Sequence, residues 1–250
     1  MALTGIQIFK LLPKTNCKEC GVPTCLAFAM NLASGKAELE SCPYVSEEAK
    51  EQLAEASAPP IRPVALGKGV RKTAAGGETV LYRHEKTFYN PTVLAAVVDG
   101  ATKAADLEKK LTVWNALQYE RVGLNLRPEL VAVKDSGDKK AFAVAAKLIA
   151  EKSEFNVVLM TEDVDTMKAG VEACGFKRPL MYAATSANID DMGAIAYEKD
   201  LPIAIKADSV EALIPLSDKL TEMGVKDIVI DSGSREIKQA LEDQVAIRRA

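Results

Sequence analysis

Four of the five cysteines in this 250-residue chain, Cys17, Cys20, Cys25 and Cys42, fall in one short segment, and only Cys174 lies elsewhere. Their spacing is C-x2-C-x4-C-x16-C, with Pro43 directly after the last. Two thiols separated by two residues can reach one metal centre from a single tight turn. Gly21 and Pro23 supply the bend that returns Cys25 to the same point. The stretch "CLAFAMNLASGK" reads as a helix from Cys25, with Gly35 near its C-terminal stop, and the loop after it brings Cys42 back. Four thiolates without histidine leave two metal readings open. A [4Fe–4S] cluster takes four cysteines at mixed spacings and wants amide donors around its sulfur. Structural zinc also takes four cysteines, but as two paired knuckles, and Cys42 stands alone. Free structural thiols are the third reading. The spacing favours the cluster. Because every ligand would be a cysteine, no iron is left open for substrate chemistry, so electron transfer is the expected role and a structural one the alternative.

The elements that must position these thiols sit in a chain of ordinary globular composition, 48% hydrophobic and 27% charged. A net charge of −3 gives no basic surplus for nucleic acid. Arg62, Lys68, Arg71 and Lys72 form a local basic cluster that could meet an acidic partner or a phosphate, yet reads more simply as a solvated face. The opening "MALTGIQIFKLLPK" is too short and interrupted for a secretory signal, and no apolar run reaches the ~18 residues of a membrane span. The expectation is a cytoplasmic protein with no membrane and no nucleic-acid partner. Its thiols stay reduced there, so disulfides do not explain the cluster of cysteines.

Three zones are expected. Residues 1–57 form a small helical four-cysteine domain: a first helix, "TGIQIFKLL", has Thr4 as its N-cap, and "SEEAKEQLAEA" has Ser46 as cap with Glu47 and Glu48 in its first turn. Residues 58–91 are a linker and entry segment. There "SAPPIRPVALGKG" is rich in Pro and Gly, and "ETVLYRHEKTFYN" holds two short alternating stretches that read as strands. Residues 92–250 are an α/β domain. Apolar runs recur at 92–98, 121–125, 130–134, 156–160, 179–184, 202–207 and 227–231, separated by helical patterns such as "KKAFAVAAKLIAEK" and "VEALIPLSDKLTEMG". Unbroken Val/Ile/Leu runs mean strands buried on both faces, hence a parallel sheet. A whole (β/α)8 barrel takes about 250 residues, and only 159 remain from residue 92. A TIM-barrel-like but incomplete domain is expected, in a chain cut short after "IRRA".

In parallel βα folds ligands gather at the carboxyl ends of strands. The polar residues there are Asp99, Thr161, Glu162, Asp163, Thr185, Asn188, Asp208 and Asp231. They could line a pocket, but capping of the following helices accounts for most of them. Cys174 reads as a buried, inert thiol and His84, the sole histidine, as a loop or strand-edge residue. The "GKGVRK" stretch at 67–72 lacks the Gly-Lys-Ser/Thr ending of a P-loop.

The segments "LTGIQIFKLLPKTNCKECGVPTCLAFAMNLASGKAELESCPY", "APPIRPV", "RHEKTFYNPT" and "PLMYAATSAN" together resemble the large (gamma) subunit of the corrinoid iron–sulfur proteins of the acetyl-CoA decarbonylase/synthase (Wood–Ljungdahl) system. The resemblance implies a [4Fe–4S] cluster on Cys17, Cys20, Cys25 and Cys42, a TIM-barrel domain after a flexible linker, and a C-terminal corrinoid (cobalamin) domain. It further implies a heterodimer with a small subunit, and methyl transfer from a methyl-tetrahydropterin or folate, through a methyltransferase, to acetyl-CoA synthase/CO dehydrogenase. The cluster would return Co(II) to Co(I). No corrinoid domain follows Ala250, so the corrinoid is expected in the full complex and not on this chain alone. The alternatives are an electron-transfer iron–sulfur protein without methyl chemistry and a pterin-dependent methyltransferase using Asp99, Asn188 or Asp208.

Overall fold

The computed structural model describes residues 4–33, 37, 39–46, 49–50, 53, 62–77 and 92–249. The chain divides into two compact units, Met1–Pro60 and Ile61–Ala250. His84, the Gly35 helix stop, Glu47, Glu48 and the alternating stretch 78–90 lie outside the described residues.

In the first unit, α1 (Gly5–Leu11) starts at the expected cap. Thr4 Oγ1 accepts from the Gln7 amide at 3.4 Å, and the Gln7 side chain accepts from the Thr4 amide at 2.8 Å, a reciprocal capping box. Helix α2 (Cys25–Ala33) is opened by Thr24, whose Oγ1 accepts from the Ala27 amide at 3.1 Å. Ser46 Oγ accepts from the Ala49 amide at 3.2 Å, as its sequence position implied. The core of this unit is Ile8, Leu12, Phe28, Ala29, Val45, Ala49 and Leu53, together with Cys25 and Cys42.

The second unit is built on six parallel strands: β3 (Ala95–Asp99), β6 (Leu130–Lys134), β7 (Asn156–Met160), β8 (Leu180–Ala184), β9 (Ile203–Lys206) and β10 (Ile228–Asp231). Among the described residues they lie in the order β10-β9-β8-β7-β6-β3, each beside the next parallel strand in the chain, with β3 and β10 at the two edges. The connecting helices are α3 (Ala104–Ala116), α4 (Lys139–Lys152), α5 (Val164–Cys174), α6 (Ile189–Lys199) and α7 (Val210–Glu222), with α8 (Ile237–Arg249) after β10.

Strand alternation explains the unbroken apolar runs. Val131, Val133, Val157, Leu159, Met181, Ile203 and Ile205 turn to one face and pack on the helices, around Phe142, Ile149, Met167 and Leu220. The intervening Leu130, Ala132, Val158, Leu180 and Ala204 turn to the opposite face, where they meet Val64 and Leu66. Close packing on the helix face is set by Gly170: a Cβ there would come within 2.7 Å of the Phe142 ring, so α5 sits against α4 only with glycine at this point.

Val64 and Leu66 belong to a hairpin, β1 (Val64–Leu66) with β2 (Thr73–Ala75). This corrects the linker reading of the stretch. Its Pro and Gly content mimics a linker, but Val64 and Leu66 alternate inward and cover the sheet. Asn156, fully buried at the start of β7, holds the hairpin. Its Oδ1 accepts from the Lys68 amide at 3.0 Å, and its Nδ2 donates to the Arg71 carbonyl at 2.8 Å. Gly67, at φ +75°, must be glycine: a Cβ would fall 1.9 Å from Asn156 Cγ.

Two further expectations are corrected. Arg71 is not on a solvated face but 3% exposed: it donates to the Pro128 carbonyl at 2.7 Å and to Asn115 Oδ1, and lies 4.3 Å over the Phe155 ring. The run 121–125 is not a strand of the main sheet. It spans the turn of a separate antiparallel hairpin, β4 (Tyr119–Arg121) with β5 (Leu124–Leu126), where Val122 and Gly123 take positive φ and Val122 is 92% exposed. Among the described residues no helix is long and apolar enough to cross a membrane.

Candidate functional site

The cysteine segment owes its path to a run of left-handed residues. Lys14, Asn16, Lys18 and Gly21 all take positive φ, between 50° and 77°. Each such residue reverses the local curl, and the Gly21 amide closes a turn on the Lys18 carbonyl at 3.0 Å. Asn16 ties this loop to the start of α2. Its Oδ1 accepts from the Cys25 amide at 2.8 Å, and its own amide donates to Cys25 Sγ at 3.4 Å. An amide aimed at a cysteine sulfur is the contact that stabilises a thiolate ligand.

All four cysteines are free thiols. Cys25 and Cys42 are buried in the apolar core, half-buried Cys20 packs against it, and Cys17 is exposed. The Tyr44 hydroxyl donates to Glu19 Oε1 at 2.9 Å. That bond, and the Glu19 charge behind it, raise the Tyr44 phenol above its ordinary value, with smaller contributions from Cys17 and Cys42. Among the described residues no three His, Cys, Asp or Glu side chains converge closely enough to hold a metal ion as they stand. The donor set fits an iron–sulfur cluster in kind: four thiols in one unit, two set in an apolar core and one facing an amide. A shared centre has to draw the thiols together on binding, as in sites that order with their metal.

At the strand ends of the second unit, the candidates other than Asp208 are held by a local partner or a neighbouring strand. Asp163 caps α5, its Oδ2 accepting from the Thr166 amide at 2.7 Å, and this bond leads the effects that hold its carboxyl below the ordinary range. Asp99 Oδ1 accepts from the Ala101 amide at 2.8 Å. Thr161 is buried and donates to Asp135 Oδ2 at 2.7 Å. Asn188 precedes α6 but makes no side-chain cap. It accepts from the Thr185 amide and donates to the Glu162 carbonyl, both at 2.7 Å, while the Glu162 carboxylate pairs with Lys206 at 2.9 Å. The N-cap of α7 is Ser209 rather than Asp208.

Asp231 has the richest surroundings. It accepts from the Tyr182 hydroxyl at 2.6 Å, from both terminal nitrogens of Arg235 at 3.0 and 2.9 Å, and from the Gly233 amide at 2.9 Å. Burial alone would push this carboxyl up. The Arg235 and Tyr182 bonds outweigh it and hold the group at about 2. Burial and the Asp231 bond push the Tyr182 phenol up to about 12. Tyr182, Arg235, Lys206 and Asp135 were not singled out from the sequence. Arg235, four residues after Asp231, had a readable spacing; Tyr182 had none. Cys174 is fully buried as expected, donates to the Gly170 carbonyl at 3.1 Å, and is pushed up to about 12 by burial.

With this geometry in place, comparison with known proteins is informative. Residues 63–250 match the family model described as CO dehydrogenase/acetyl-CoA synthase delta subunit. Residues 12–44 match one described as "Putative Fe-S cluster", a span containing all four clustered cysteines. The whole chain is 45% identical to the corrinoid/iron-sulfur protein large subunit of Moorella thermoacetica and covers 56% of that protein. It is 34% identical to the acetyl-CoA decarbonylase/synthase complex subunit gamma of Methanothermobacter thermautotrophicus, over all of this chain and 55% of the relative. For subunit gamma 2 of Methanosarcina mazei the identity is 37%, over 98% of this chain and 54% of the relative. The chain thus spans about half the length of the curated relatives it matches.

Proposed function

The chain belongs to the CO dehydrogenase/acetyl-CoA synthase delta subunit family, and on that premise we propose that it is part of the large subunit of a corrinoid iron–sulfur methyl carrier. The observation that carries this reading is the unit of four free thiols, beside an α/β unit of this family. Cys17, Cys20, Cys25 and Cys42 hold a [4Fe–4S] cluster, with the Asn16 amide supporting Cys25. Such a cluster would supply single electrons, the chemistry needed in the full complex to return a corrinoid Co(II) to Co(I). The corrinoid belongs to the full complex.

The second unit is read as an incomplete TIM-like barrel, residues 92–250, preceded by the hairpin and entry segment within 58–91 and by the cluster domain, 1–57. Two features support that reading. The strand order is strictly sequential, and the helices share one face of the sheet. A doubly wound sheet reverses direction at a switch point and puts helices on both faces. The partners are a small corrinoid-protein subunit, a methyltransferase and acetyl-CoA synthase/CO dehydrogenase, met in the cytoplasm. The methyl group passes from a methyl-tetrahydropterin or folate to acetyl-CoA synthase. The pterin-methyltransferase reading has less support, because Asp99 and Asn188 are engaged by their own turns.

The test uses the full-length protein with its small subunit. Cys42→Ala is expected to slow reduction of Co(II) to Co(I) while leaving methyl transfer from the pre-reduced corrinoid intact. Equal rates of reduction in variant and wild type would remove the redox half of the proposal.

A further inference from the structure

A second site lies at the opposite, N-terminal end of the parallel strands. There a pocket of about 380 Å³ is lined by Arg62, by Lys68, Gly69 and Lys72 of the β1–β2 loop, and by Arg178 and Asp227. These residues come from segments far apart in the chain, and four of them are cations. Among the described residues Asp227 is the one carboxylate lining the pocket, in a chain that carries 35 acidic residues and a net charge of −3. It pairs with Arg62 at 3.2 Å and with Arg178. The Arg178 side chain is 13% exposed and fully committed, donating to the Ala65 carbonyl at 2.6 Å and the Asp200 carbonyl at 3.0 Å, so it forms a fixed wall. Lys68 and Lys72 are exposed, and their ammonium groups join no ion pair among the described residues.

The loop that carries the two lysines is fixed before any ligand arrives. The Lys68 amide is held by Asn156, Arg71 is buried between the two lysines in sequence, and the Lys72 amide donates to the Gly69 carbonyl at 3.1 Å. Gathering like charges on a rigid loop is unfavourable without a counter-charge, and a preformed site loses little entropy on binding one. Ammonium groups act as point charges suited to phosphate, and a pocket of this size takes a small molecule, not a folded surface.

We propose that this pocket binds a phosphate-bearing small molecule with at least two negative charges, held by Lys68, Lys72 and Arg62 against the Arg178 wall. The site is distinct from the C-terminal strand ends of the same unit.

The test is isothermal titration of the full chain with pyrophosphate at low ionic strength. One saturable site is expected, weakened at least about tenfold in Lys68→Ala/Lys72→Ala and by a smaller factor in Arg62→Gln. Both lysines are exposed, so the thermal melting curve should not move, which separates lost binding from lost folding. Absence of saturable binding, or an affinity unchanged in the double variant, would overturn the proposal. Tighter binding of hexaglutamate, or of phosphatidic acid vesicles, than of pyrophosphate would overturn it equally, by assigning the charge to a macromolecular surface.

Discussion

The two units solve the same burial problem with different means. Among the described residues, the core of the α/β unit has 28 buried side chains on the helix face of its sheet, from Val98 to Val225, and closes on side chains alone. The core of the cysteine unit has nine, and two of them are Cys25 and Cys42. A small domain buries a smaller fraction of its chain and commonly needs a metal or a disulfide to be stable. Here two of the thiols proposed as cluster ligands are also part of what packs. In the larger unit, by contrast, the polar strand-end groups cap helices or pair with neighbouring side chains, and the core closes without them.

Phe142→Ala should give the largest effect, about 3–5 kcal/mol lost from the α/β unit, because the ring is fully buried and meets Gly170. Denaturant unfolding measures it. If the iron content of the cysteine unit fell with it, the independence of the two units would be broken. Asn156→Ala should cost about 2–3 kcal/mol, since the Lys68 amide and the Arg71 carbonyl both lose their buried partner. Hydrogen exchange should then quicken at β1 and β2 before it does in the central strands.

Asp163→Ala should give a small drop in melting temperature through loss of the α5 cap. Asp231→Asn should cost least, about 0.5 kcal/mol after allowance for the exposed Arg235 partner. It sharpens the comparison through its pH dependence. The Asp231 pKa is depressed, so its contribution is full above about pH 4 and is lost as pH falls toward 2. The Tyr182 pKa is raised, so its contribution is full below about pH 10 and is lost as pH rises toward 12. Melting curves of Asp231→Asn should show a smaller acid limb than wild type; an undiminished limb would place it elsewhere in the chain.

What could be read from the sequence follows the same division. The four cysteines stood out in the sequence because their short, fixed intervals set them apart from the rest of the chain, and they lie within the span matched by the iron–sulfur family model. Strands 130–134 and 156–160 and helix 139–152 were legible because burial on both faces, or on one helical stripe, writes a period into the residues. The β1–β2 hairpin was not. Pro63, Gly67 and Gly69 give it the composition of a linker, and its partners Asn156 and Arg178 are distant in the chain. Arg71 went unread for the same reason: Asn115, Pro128 and Phe155 become its neighbours only on folding. Asp163 could be assigned as a cap from its position alone, whereas the Tyr182–Asp231 bond joins residues 49 apart.

The most direct measurement is EPR of the anaerobically purified, reduced chain, with iron and sulfide counted on the same sample. The account predicts a reduced-cluster signal with about four irons and four sulfides per chain, lost when Cys42 is replaced by alanine. Zinc in place of iron, or an undiminished iron signal in Cys42→Ala, would contradict the assignment of the four thiols to a redox cluster.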